Sequence, residues 1–148
     1  MTWYPHVTVA TVIEKDNRYL MVKEHAENNL VYNQPAGHLD PNESLENAAC
    51  RETLEETGWD ICLTGFLGVS VYKSPANNIT YVRNTFVAKP LHHHRDQALD
   101  DGIVDALWLT YEEILQREHE LRSPIVLKAI QDHRAGKHYP LDLVHQHR

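Results

Sequence analysis

Apolar and β-branched residues dominate two runs near the start of the chain, His6–Glu14 and Arg18–Glu24, separated by Lys15-Asp16-Asn17, which has the character of a tight turn. The pattern predicts two antiparallel strands. Leu30–Gln34 is a short strand-like segment halted by Pro35, and Pro35-Ala36-Gly37 reads as a turn. The period then changes: Leu45–Thr57 lacks Gly and Pro and is rich in Leu, Ala and Glu, all good helix formers, with Gly58 placed to stop the helix. Ile61–Lys73 and Ile79–Lys89 contain two further strands joined through Ser74–Asn78, and Asp105–Thr110 is a last strand. Tyr111–Arg117 and Pro124–Arg134 are helical, the second carrying Ile125, Val126, Leu127 and Ile130 ahead of Gly136. Strands on both sides of a central helix, followed by a helical C-terminal third, predict an α/β/α sandwich around a central mixed β-sheet.

The predicted central helix carries an unusual charge pattern. At about 100° per residue, Glu52, Glu55 and Glu56 fall in one sector about 100° wide, and Leu45, Ala48 and Ala49 project from the same side one and two turns earlier. Like charges at this spacing repel, and carboxylates near a helix C-terminus face the negative end of the macrodipole. A divalent cation reverses both penalties. Several carboxylates, with no Cys or His at helical spacing, point to Mg²⁺ or Mn²⁺ and against zinc. Taken alone, the three glutamates are also what a solvated acidic helix face looks like.

The full spacing decides between these readings. Gly37, Glu43, Arg51-Glu52, Glu55-Glu56 and Gly58 are separated by five, seven, two and one residues, and over residues 37–59 this pattern resembles the signature of the Nudix hydrolase family. The resemblance implies an α/β/α fold and hydrolysis of phosphoanhydride bonds in small molecules with Mg²⁺ or Mn²⁺. By analogy, Glu52, Glu55 and Glu56 hold the cation, with the Gly37 carbonyl as a further ligand, and Glu43 and Arg51 form a structural ion pair. The family's general base is either a glutamate of this stretch or an acidic residue of a later loop. Glu52 is the first choice, and Asp100 and Asp101 are the outside candidates, with Asp101 preferred. Thr53 departs from the pattern, standing where an aliphatic residue is usual. Asn33–Leu39, Leu121–Pro124 and Tyr139–Asp142 also resemble a bacterial phosphatase subgroup, implying removal of terminal phosphate from nucleoside tri- and diphosphates and from thiamine-related pyrophosphates. A nucleotide- or metabolite-binding regulatory module and an isoprenoid diphosphate isomerase are the alternatives within the same fold. The first usually loses these carboxylates, and the second needs a reactive Cys.

Composition narrows the remaining choices. With 148 residues and 42% hydrophobic content, the chain suits one domain spanning 1–148. A formal net charge of −7 speaks against a nucleic acid polymer as partner, leaving a small phosphorylated substrate. No apolar run approaches a membrane span and the N-terminus lacks the features of a signal peptide, so a cytoplasmic monomer or homodimer is expected, with Cys50 and Cys62 as reduced thiols. His92-His93-His94 reads as a polar loop, since consecutive residues on an extended segment face opposite ways. Tyr32, Tyr72, Tyr81, Trp3 and Trp59 offer rings for stacking, although aromatics in strands more often pack in the core. Lys23, Lys73 and Arg83 lie in predicted strands; a substrate phosphate would draw one inward, while solvent on the other sheet face is the simpler placement.

Overall fold

The computed structural model describes residues 2–147. Strand β1 (His6–Lys15) turns through Asp16 and Asn17, at φ 54° and 63°, into β2 (Arg18–Ala26). Asp and Asn tolerate this left-handed conformation, and two such residues in succession match the twist of a tight hairpin. The two strands share only the pairs Glu14–Tyr19 and Lys15–Arg18 before they diverge. β2 then carries β3 (Asn29–Asn33) on one edge and β7 (Ile103–Thr110) on the other, all antiparallel. β1 pairs in parallel with β6 (Thr80–His93), which forms a long antiparallel hairpin with β5 (Trp59–Lys73).

One predicted turn is a strand. Ala36–His38 forms β4, antiparallel to β1, with Ala10 opposite Ala36 and Thr8 opposite His38. Pro35 has no N–H to give to a ladder, but its carbonyl accepts from the Thr11 N–H at 3.1 Å, so the chain crosses from β2 to β1 while it remains extended. Gly37 is thereby fixed to the central strand rather than to a mobile loop.

Helices cover both sides of this mixed sheet. Alternation along β1 sends Val9 and Ile13 towards α1 (Leu45–Thr57), where they join Ala48, Ala49, Phe66, Phe86 and Leu20. Val12 points the other way and packs with Tyr19, Met21, Leu67 and Val87 against α2 (Tyr111–Gln116) and α3 (Pro124–Arg134), represented by Ile114, Val126 and Ile130. A strand buried on both faces explains why β1 reads as an unbroken apolar run. Thr110 and Glu113 close a reciprocal capping box at the start of α2, and Pro124 occupies the first turn of α3.

Candidate active site

Helix α1 is held at both ends. The Ser44 hydroxyl accepts from the Asn47 N–H at 3.0 Å, and Gly58 takes φ 76°, donating its N–H to Leu54 O. Thr53, fully buried, satisfies its hydroxyl by donating to Ala49 O at 2.8 Å, which is how the helix accommodates a polar residue at an aliphatic position. Its exposed face centres on Arg51. Arg51 Nε and Nη2 donate to the two Glu43 oxygens at 2.6 and 3.0 Å, Nη1 reaches Glu52 and Glu55 at 2.8 Å each, and Nη2 also meets the His38 carbonyl at 3.0 Å. This fork ties the loop after β4 to the helix and drives the Glu43 carboxyl below its usual range.

Even with that guanidinium present, negative charge is crowded. One carboxylate oxygen from each of Glu52, Glu55 and Asp100 lies within 4.8 Å of the others. Asp100 arrives from the loop before β7, whose backbone is fastened to the helix by Asp100 N–H donating to Glu55 O at 3.0 Å. The Glu52 carboxyl is pushed up by burial, with Glu55 and Asp100 adding to the effect and Arg51 opposing it. Burial pushes Asp100 up as well, reinforced by Glu55. An all-oxygen donor set destabilised by its own repulsion fits a hard divalent cation.

Glu56 lies one step deeper. It is 8% exposed and accepts from the Ala36 N–H at 3.0 Å, and burial pushes its carboxyl up to about 9. Gly37 sits directly beneath Glu52: a Cβ there would come within 2.1 Å of the Glu52 carboxyl carbon. The glycine is therefore required for close approach of a side chain to the β4 backbone. Glu52, Glu56 and Gly37 all line a cleft of about 510 Å³.

The far wall of that cleft is cationic. Arg83, on β6, is buried, and its Nη2 donates to Asn33 Oδ1 at 3.1 Å and Gln34 Oε1 at 2.7 Å. Asn33 in turn donates to Glu24, which also receives Arg122 at 2.9 Å. Tyr72, Asn77 and Tyr81 line the outer part, with Asn77 donating to the Tyr81 hydroxyl at 2.9 Å.

Glu52 belongs to two groupings: with Glu55 and Asp100 it forms the acidic cluster, and with Glu56 and Gly37 it lines the cleft, while Arg51 ties Glu43, Glu52 and Glu55 together. Asp101 does not join them: the acidic group contains Asp100, and Asp101 is an exposed turn residue beside it. The hydrogen bond from Asp100 to Glu55, between loop and helix backbones, selects the first aspartate, and sequence spacing carries no sign of it. Arg83 reverses the outward placement expected from its strand. Asn33, Gln34 and Arg122, which surround it, lie in the stretches that resemble the phosphatase subgroup, whereas Glu24 carries no sequence signal; Arg83 itself, between Val82 and Asn84, reads like any strand arginine. Tyr32 packs in the core, whereas Tyr72 and Tyr81 face the cleft. His92 and His93 belong to β6 rather than a loop: His93 stacks on Trp59 at 4.6 Å, and His94 contacts Asp60 at 2.6 Å. Cys50 and Cys62 are both free, and Cys50 packs against the core cluster of Ile13, Leu20, Ile61 and Ala88.

Comparison with known proteins agrees with this geometry. Residues 4–130 match the NUDIX domain model, and the chain belongs to the Nudix hydrolase family. Among curated relatives, the phosphatase NudJ of Escherichia coli K12 is 36% identical over 140 residues, covering 95% of this chain and 90% of that protein. A NUDIX hydrolase from Nitrosomonas europaea superposes with a TM-score of 0.95 at 41% identity, covering 97% of this chain and 98% of that one. The NUDIX domain of Shewanella oneidensis NrtR, solved with ADP ribose, shares the fold at 20% identity and a TM-score of 0.73, covering 91% and 90% of the two chains.

Proposed function

We propose that this Nudix hydrolase is a Mg²⁺- or Mn²⁺-dependent phosphatase acting on phosphoanhydride bonds of small molecules, in the manner of NudJ, with nucleoside tri- and diphosphates and thiamine-related pyrophosphates as its substrate class. The observation that carries this reading is the convergence of Glu52, Glu55 and Asp100 on one point beside Gly37 and Glu56. Gly37, Glu52, Glu55 and Glu56 would hold the cation. When bound, it neutralises phosphate charge and acidifies water, which supplies nucleophile near neutral pH.

The chain's own residues supply positioning and proton transfer. Arg51 and Glu43 hold the carboxylates at the correct face of α1. Glu52, with its carboxyl raised by burial and pinned over Gly37, accepts the proton of the attacking water; Asp100, rather than Asp101, is the outside competitor for this role. Water oxygen forms a bond to the terminal phosphorus as the bridging P–O bond breaks. The bridging oxygen leaves with the electron pair on the shortened phosphate ester, and one proton is released to solvent.

The test is a panel of ATP, ADP, GTP, ADP-ribose and thiamine diphosphate, assayed for orthophosphate and pyrophosphate with Mg²⁺ or EDTA. Metal-dependent orthophosphate release from the nucleotides and thiamine diphosphate is expected. AMP and pyrophosphate from ATP would refute the terminal-phosphatase reading. Binding without turnover of any compound would transfer support to a nucleotide- or metabolite-binding regulatory module.

A further inference from the structure

Arg83 has no evident structural justification. A guanidinium on a strand between two helical layers loses its hydration, and among the described residues it forms no ion pair. Its Nη2 is oriented by the amide oxygens of Asn33 and Gln34, while its Nε, fully shielded, has no hydrogen-bond partner. Glu24 could have neutralised it, but Glu24 is committed to Arg122 and Asn33. Two buried amides thus hold a cationic fork without a direct ion pair, attracted only at longer range by Glu24 and Glu56, in the wall of the cleft that contains Glu52 and Glu56. Buried polar groups left unpaired are costly unless something else completes them, and a planar fork of N–H donors matches a phosphoryl group. Exposure is graded along the same cleft: Arg83, Asn33 and Glu56 are buried, whereas Tyr72 and Tyr81 are half-buried and Asn77 is exposed.

Building on the proposed hydrolase reading, we infer that Arg83 binds the phosphoryl group that departs as orthophosphate, so that substrates enter phosphate-first and leave the organic half at the Tyr72–Asn77–Tyr81 mouth. Water attacks this terminal phosphorus, the bond to the bridging oxygen breaks, and orthophosphate remains against Arg83 until release. Loose reading of the organic half follows, because the aromatic wall is the exposed end.

Orthophosphate is the probe. In wild type it should inhibit turnover and raise the melting temperature in the presence of Mg²⁺. Arg83→Gln should raise both KM for ATP and the orthophosphate inhibition constant by roughly tenfold or more, with Arg83→Lys intermediate because it retains charge without the fork. A folded Arg83→Gln protein with unchanged KM and unchanged phosphate inhibition would overturn the assignment. So would a wild-type enzyme insensitive to orthophosphate, a result readable even if the variants fail to fold. Thermal protection by orthophosphate that disappears in Arg83→Gln supports the site without any turnover, whereas a wild type inactive on every substrate defeats only the hydrolase reading.

Discussion

The two walls of the cleft solve opposite electrostatic problems. On the helix side, carboxylates outnumber their cation: Glu52, Glu55 and Asp100 crowd together and Glu56 lines the cleft with Glu52, with Arg51 as counter-charge, itself shared with Glu43. On the sheet side, Arg83 is buried with amides alone to orient it. A buried carboxylate can shed its charge by taking a proton, and burial pushes Glu56 up to about 9. An arginine has little such freedom, and even with burial pulling it down to about 10, Arg83 stays charged near neutrality. A cation would relieve the first wall and an anion the second, and the proposed metal-bound phosphoanhydride substrate would supply both.

The largest effect is expected at Glu52. Replacing it with Gln removes a proton acceptor while conserving shape, so kcat should fall by ~10²–10⁴-fold with the fold intact. Steady-state kinetics at saturating Mg²⁺ would check this, and a loss under threefold would remove Glu52 from proton transfer. Gly37→Ala is a subtler break. The added methyl displaces the Glu52 carboxylate, not the backbone, so turnover should drop by roughly 10–100-fold, while the melting temperature changes little. Equal losses of both would mean that Gly37 serves the fold instead.

The protonation of Glu56 gives a third test. Its folded carboxyl, near 9, lies above the ordinary value of 4.5, so its contribution is complete below about 4.5 and is lost as pH rises through 9. If Glu56 holds the cation as proposed, binding expels this proton and gains affinity over the same range. Melting temperatures in EDTA should decline from pH 6 to 9, Mg²⁺ should flatten the decline, and Glu56→Gln should reduce the slope in EDTA. An identical slope in the variant would contradict the assignment. The smallest expected effect is Asp101→Asn: kcat within about twofold of wild type, against a clear loss for Asp100→Asn, because only Asp100 reaches the acidic group.

The two walls also differ in how far the sequence discloses them. The helix wall is mostly local. Glu52, Glu55 and Glu56 obey one 3.6-residue period, so spacing groups them on one face, while Asp100 joins from a distant loop that no periodicity reveals. The arginine wall comes from β2, the β3–β4 connection, β6 and the segment before α3, with separations of up to 98 residues. No periodicity links such positions, and a lone arginine in a strand has the same sequence signature outward or inward. The β4 error has a related cause: Pro and Gly punctuate turns, but the partner that makes Ala36–His38 a strand is β1, far back in the chain. Asp100 and Asp101 are adjacent, and their choice rests on one backbone hydrogen bond across to α1.

If the α1 carboxylates hold the cation on which hydrolysis depends, titrating Mn²⁺ into wild type and Glu56→Gln while following bound metal and orthophosphate release from ATP in the same samples should show release in wild type rising with metal occupancy. The variant should lose affinity and turnover together while remaining folded. A variant that binds Mn²⁺ as tightly as wild type and hydrolyses ATP at the same rate would contradict this assignment.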